Sequence, residues 1–138
     1  MKLVVAGGRR HNLTASDFAY LDRVRSLLAS DGYTIDEVIS SGTAGAAAGA
    51  EEWARSRKVP VKRFVADWSR GLLAPPIRNR AMARYAALSG LCILFPGGRE
   101  TESMRCAAIS AGLQVLEVDL DRELESLPPL PCPGRSSA

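Results

Sequence analysis

Three short stretches of the chain join glycine to hydroxyl and charged side chains in a way that suits anion chemistry. They are Gly7-Gly8-Arg9, Ser41-Gly42-Thr43 and Pro96-Gly97-Gly98-Arg99-Glu100-Thr101. Glycine lets a backbone approach a ligand closely, and a helix starting after such a turn offers unpaired N–H groups and a positive dipole end. Gly97, Gly98 and Thr101 are therefore candidates to hold a phosphate through backbone N–H groups and the threonine hydroxyl. A plain strand-to-helix turn is the simpler use of the same residues. Arg9 is a second phosphate candidate, and Arg78-Asn79 at a helix start suits a phosphate or a ribose. Ser41 and Thr43 either bond a ligand or close the turn at Gly42. Trp68 can stack on a base, although a tryptophan in such a loop is more often a packing anchor. Asp67 either caps the turn that follows it or binds a ribose. Glu100 is awkward beside a phosphate, because it puts negative charge where the dipole favours an anion. A ribose hydroxyl, a base N–H or solvent suits it better.

Such residues need elements to position them. Lys2–Ala6 and Leu91–Phe95 are short apolar runs ending in turn residues, the pattern of strands buried on both faces. Val38-Ile39 predicts another strand, Val59-Pro60-Val61 with Phe64-Val65 a third, and 113–118 an edge strand. Between them, Phe18, Leu21, Val24, Leu27 and Leu28 share a helical face that Ser16 or Asp17 could cap. Helices are also predicted over 46–57, over 77–88 and from about Glu102 to Ala111, with 66–76 as a structured loop. Strands alternating with helices give an α/β fold, a central parallel sheet of about five strands between helix layers. In such sheets ligands bind beyond the carboxyl ends of the strands, near the topological switch point. All three glycine stretches follow strands and converge there. Residues 1–119 are expected to form the ligand-binding domain. Residues 120–138, acidic and then proline-rich, are expected to be a C-terminal tail without core, partly disordered.

Bulk properties narrow the classes of function. The chain has 138 residues, 46% hydrophobic and 24% charged, enough for one soluble domain with a real core. No apolar stretch approaches the roughly 18 residues of a membrane span, and the N-terminus lacks a signal-peptide pattern. A cytoplasmic location without membrane contact is the expectation. The three cysteines lack metal-ligand spacing and His11 is the only histidine, so no metal site and no cofactor is expected. Cys92 and Cys106 read as small core residues. The net charge of +3 rests mostly on arginines scattered over several helices, which argues against a nucleic-acid partner.

The order of the motifs carries a resemblance. Gly-Gly-Arg follows the first strand and Ser41-Gly42-Thr43-Ala44-Gly45 the second. Ala66-Asp67-Trp68-Ser69 follows the third, and Pro76-Ile77-Arg78-Asn79 opens a helix. Phe95-Pro96-Gly97-Gly98-Arg99, with Thr101, follows the fourth. Over roughly residues 2–118 this resembles the YspA-like branch of the SLOG superfamily. The resemblance implies a Rossmann-like three-layer sandwich that senses or sequesters a nucleotide or nucleotide-derived signalling molecule, often as a homo-oligomer. It also implies an alternative, since the superfamily includes the "lonely guy" phosphoribohydrolases: N-glycosidic or phosphoribosyl hydrolysis of a nucleotide. The chain departs from that enzyme pattern. Ala46-Ala47-Ala48 stands where relatives carry Gly-Ala-Asp, and Ala74-Pro75-Pro76 where they carry Ala-Gly-Pro. Glu100 replaces the third glycine of the phosphate turn, and Met104 replaces the catalytic glutamate. A hydrolase would have to recruit Glu100, Glu102, Asp67 or Glu51 instead. These departures favour holding a ligand over cutting one.

Overall fold

The structure, a computed structural model, describes residues 1–88, 90–118 and 124–130. The apolar runs form β1 (Lys2–Ala6), β2 (Glu37–Ser40), β3 (Val61–Arg63), β4 (Gly90–Leu94) and β5 (Gln114–Glu117). These strands lie side by side in the order β3-β2-β1-β4-β5, every neighbouring pair parallel. β1 is central, with Leu3 opposite Val38 on one side and Leu91 on the other.

Side chains of a strand alternate between faces, and the two faces collect separate cores. Leu3, Val5, Leu91 and Ile93 pack with α1 (Ala15–Ser30) and α2 (Ala46–Ser56), where Trp53 is fully buried. Val4, Cys92 and Leu94 face α3 (Ala74–Ala86) and α4 (Arg99–Ser110), meeting Met82, Ala83, Met104 and Ala108. The result is the Rossmann-like α/β sandwich. Among the described residues no helix is long and apolar enough to cross a membrane.

Several boundaries differ from expectation, each for a local reason. Thr14, rather than Ser16 or Asp17, caps α1: its hydroxyl accepts from the Asp17 N–H while the Asp17 carboxylate accepts from the Thr14 N–H. α3 begins at Ala74, so Pro75 and Pro76 stand in its first turn, where no N–H is needed. The loop before it winds into 3₁₀ turns over Trp68–Leu73, kinked at Gly71, whose φ of +62° is not helical. α4 begins at Arg99, which puts Glu100 and Thr101 inside its first turn. Cys92 is buried, its thiol pushed up to about 12 by burial, but Cys106 is exposed rather than a core residue. Residues 120–138 were expected to form a tail without core, and of these 120–123 and 131–138 lie outside the described residues. Instead Leu124 is buried in the first cluster with Leu127 and Leu130 packed against it, and Arg23 Nε donates to the Leu124 carbonyl at 3.1 Å.

The chain runs outward from β1 to β3, then crosses back to β4 and β5. The strand order therefore reverses between β1 and β4, and the loops leaving these two strands diverge. A crevice opens between them.

Candidate functional site

The crevice is a cleft of about 600 Å³, walled by Gly7 to His11 on one side and Pro96 to Thr101 on the other. Its two walls are tied at the base, where Gly8 N donates to the Pro96 carbonyl at 2.8 Å. Gly97 has to be glycine here. A Cβ at that position would overlap Thr101 Oγ1 and lie 2.6 Å from Gly8 N. Gly45 supports the same loop from behind. It holds φ +78°, and a side chain there would run into the Gly8 carbonyl, which also accepts from Ala46 N at 3.2 Å.

Above this base, α4 opens with Gly98 at its N-cap and no side chain capping it. The N–H groups of its first turn have no intrahelical acceptor. Thr101 Oγ1 is shielded from solvent and has no hydrogen-bond partner among the described residues. Buried hydroxyls are rarely left so, because an unmatched one costs about 1–3 kcal/mol.

Arg9, Arg10, Arg99 and Glu100 line the cleft, and Arg78 lies behind Glu100. Arg9 forms a two-pronged pair with Glu100, Nη2 to Oε1 at 2.9 Å and Nε to Oε2 at 3.2 Å. Arg78, only 6% exposed, lies with Nη2 3.8 Å from Glu100 Oε2. Burial pulls the Arg78 guanidinium below its ordinary pKa; Glu100 opposes that shift and Arg9 adds to it. It remains a cation, since arginine stays protonated in proteins. Arg78 Nε donates to Asn79 Oδ1, and Asn79 Nδ2 donates to the Glu100 carbonyl at 3.2 Å and to Ser103 Oγ at 3.3 Å. Asn79 is thus buried between α3 and α4, fixing the first turn of α4. Arg9 also lies over the Trp68 ring, 5.8 Å from its centroid. Trp68 is 55% exposed, so it anchors no core; its tie to the cleft is this contact with Arg9.

The remaining candidates sit apart from the cleft walls. Ser41 and Thr43 bond each other through their hydroxyls at 2.8 Å, and Gly42 N donates to Ser40 Oγ at 3.0 Å. Ser40 Oγ in turn donates to Glu51, a buried carboxylate that also accepts from Arg63 and Arg55. Burial alone would raise the Glu51 pKa, but bonds from Arg63 and Ser40 and the charges of Arg63 and Arg55 outweigh it and hold the carboxyl low. Asp67 accepts from Ser69 N and Oγ, capping the 3₁₀ turns, and these bonds hold its pKa low. Glu102 pairs with Arg105 at 3.2 Å. Met104 is buried in the second core cluster. Among the described residues lining the cleft, Glu100 is the one carboxylate.

Two residues of the wall, Arg10 and His11, were not among the candidates. His11 stacks on Phe95 at 5.7 Å between centroids, and its Nε2 lies 3.2 Å from Asp17 Oδ2. The Thr14-x-x-Asp17 spacing was the available signal, because a capping box fixes the carboxylate that holds the histidine.

The family model described as YAcAr, the YspA, cpYpsA-related SLOG family, matches residues 1–71, a span from β1 through the loop carrying Trp68. Neither comparison with curated proteins nor comparison with solved structures gives a match.

Proposed function

This chain belongs to the YspA, cpYpsA-related SLOG family, and from that premise we propose that it binds a nucleotide or nucleotide-derived signalling molecule in the cleft between β1 and β4. The observation that carries the reading is the unmatched Thr101 hydroxyl beside the uncapped start of α4. Donors left open together on one side of a cleft are what a phosphate group satisfies. A cleft of about 600 Å³ falls within the range of small-molecule sites. Arg9 and Arg78 supply positive charge beside the donors, and the half-exposed Trp68 ring offers a face on which a base can stack.

Binding without turnover is the better-supported form of this reading. Glu102 and Asp67 are engaged elsewhere, Glu51 is buried among arginines, and both oxygens of Glu100 accept from Arg9. A glycosidic hydrolase needs a carboxylate free to act as acid, base or nucleophile.

Thermal-shift titration with ribonucleoside mono-, di- and cyclic phosphates tests the proposal, followed by chromatography of the recovered ligand. A ligand at 100 times its Kd should stabilise the protein by about 2.7 kcal/mol. Arg9→Ala should weaken that ligand at least about tenfold, as expected for a lost charge-assisted contact. No stabilisation by any nucleotide would overturn the proposal, and so would equal affinity in Arg9→Ala. A cleaved ligand would overturn binding without turnover.

A further inference from the structure

The cleft holds more cations than its own carboxylate can occupy. Glu100 is claimed from two sides: Arg9 grips its oxygens at 2.9 and 3.2 Å, and Arg78 lies 3.8 Å behind it. Arg10 and Arg99 line the same cleft from opposite walls, one after β1 and the other at the start of α4. Both are exposed, and among the described residues neither side chain has a hydrogen-bond or ion-pair partner. Four arginines therefore stand against one carboxylate, and two of the four have no anion to meet.

The donors of the cleft fall into two sets. At the uncapped start of α4, the N–H groups of the first turn accompany the Thr101 hydroxyl, which is shielded from solvent and unmatched. That set suffices for the oxygens of one phosphate group. The second set is Arg10 and Arg99, whose planar guanidinium forks bind phosphate oxygens in pairs. A nucleoside monophosphate seated on the first set leaves the second without an acceptor of its own. A second phosphate group supplies the missing oxygens and a further negative charge, and a cleft of about 600 Å³ has room for it. We propose that the cleft selects nucleotides carrying a diphosphate group over nucleoside monophosphates, with Arg10 and Arg99 as the residues that read the second phosphate. The inference rests on the nucleotide-binding reading above and names the class of ligand for that site. The first phosphate takes the N–H groups of α4 and the Thr101 hydroxyl, and the second lies between Arg10 and Arg99. Arg9 and Arg78 offset Glu100, so the carboxylate does not repel the ligand.

The test uses the 5′-monophosphates and 5′-diphosphates of adenosine, guanosine, cytidine and uridine, with the glucose ester of each diphosphate. Calorimetry is run at fixed ionic strength with a chelator present. For the preferred base, a diphosphate ligand should bind the natural chain at least about tenfold more tightly than the monophosphate, about 1.4 kcal/mol. Whichever of the free diphosphate and its glucose ester binds more tightly tells a terminal diphosphate from one that bridges to a second group. Arg10→Gln and Arg99→Gln should each bring the ratio of diphosphate to monophosphate affinity towards one, while the monophosphate affinity stays nearly unchanged. Both side chains are exposed, so the variants should melt with the natural chain. Arg84→Gln is the control for general attraction between a basic protein and a polyanion, because Arg84 lies outside the cleft, in the groove between α3 and α4. It should leave the ratio as it is. A ratio that falls as far in Arg84→Gln as in the cleft variants overturns the proposal. So does a monophosphate that binds as tightly as the diphosphates, or a ratio indifferent to Arg10→Gln and Arg99→Gln; each of these leaves a nucleotide site standing. No binding by any of the twelve ligands overturns both proposals.

Discussion

Thr101 and Gly97 are neighbours across the cleft turn, and their substitutions should have opposite signatures. Thr101→Val keeps the shape of the side chain and removes a hydroxyl that has no partner among the described residues. Deleting an unmatched buried polar group is neutral or favourable, so the ligand-free variant should be as stable as the natural chain, or more stable by about 1 kcal/mol. The same hydroxyl is a donor to a bound phosphate, and nucleotide affinity should fall by about five- to tenfold, the worth of one hydrogen bond. A melt and a titration on the same sample check both halves; a destabilised variant with full affinity would show the hydroxyl to be structural. Gly97→Ala has no such freedom. Its new Cβ would overlap Thr101 Oγ1 and press within 2.6 Å of Gly8 N, so both walls of the cleft must move. Overpacking of this kind costs about 1–3 kcal/mol, and affinity should fall with stability. The glycine turn itself was legible in the sequence. The pairing of Glu100 with Arg9 was not, because the partners stand 91 residues apart and meet only when β1 and β4 become neighbours. Nor was the burial of Arg78, which follows from the packing of α3 on α4.

Elements were legible where a local pattern carries them and blurred where capping chemistry is absent. The apolar runs of β1 and β4 needed only their composition. The start of α4 was placed about three residues late, because Gly98 leaves no capping side chain to read. At β3, only Val61–Arg63 pairs, and its edge position is held by side chains rather than by hydrophobic pattern. There Arg63 reaches Glu51 on α2, and Ser40 at the end of β2 donates to the same carboxylate at 2.7 Å. This network joins β2, β3 and α2 and sets the turn that holds Ser41-Gly42-Thr43. Because Glu51 is held below its ordinary pKa, the folded state binds its proton less readily than the unfolded chain does. Its stabilisation is present above the unfolded value of about 4.3 and is lost as pH falls through the lower folded value. Glu51→Gln should therefore lower stability at pH 7 by about 1.5–3 kcal/mol, the range for hydrogen bonds to a charged group. The gap between variant and natural chain should narrow as pH drops below about 4.3. Melts at intervals from pH 7 to pH 3 test this, and a gap independent of pH would remove the carboxylate's charge from the explanation.

Over the whole chain, sequence alone supplied the alternation of strands and helices but not the order of the strands, since pairing is a property of the sheet and not of any segment. That order matters most for function. Only with β1 flanked by β2 and β4 does the reversal fall between the Gly7-Gly8 and Gly97-Gly98 turns, and only then do two weak motifs make one cleft. The same non-local reasoning applies to residues 124–130. Their proline and acidic neighbours made the stretch read as tail, because an isolated leucine among such residues shows no periodicity. Yet Leu124 is 5% exposed in the core cluster that contains Tyr20, Leu21 and Val24, and the Arg23 guanidinium fastens its carbonyl. Leucine-to-alanine changes at such sites cost about 2–5 kcal/mol. Leu124→Ala should lower stability by an amount near the bottom of that range, since a segment reaching the core from outside the sheet can settle around a cavity more easily than a strand can. Denaturant melts of Leu124→Ala and Arg23→Ala measure the two ties separately. Each should shift the midpoint without changing the slope, because slope follows the surface exposed on unfolding and the segment unfolds with the rest. A midpoint unmoved by Leu124→Ala would return residues 124–130 to the status of a tail, and would confine the fold's stability to the two clusters around the sheet.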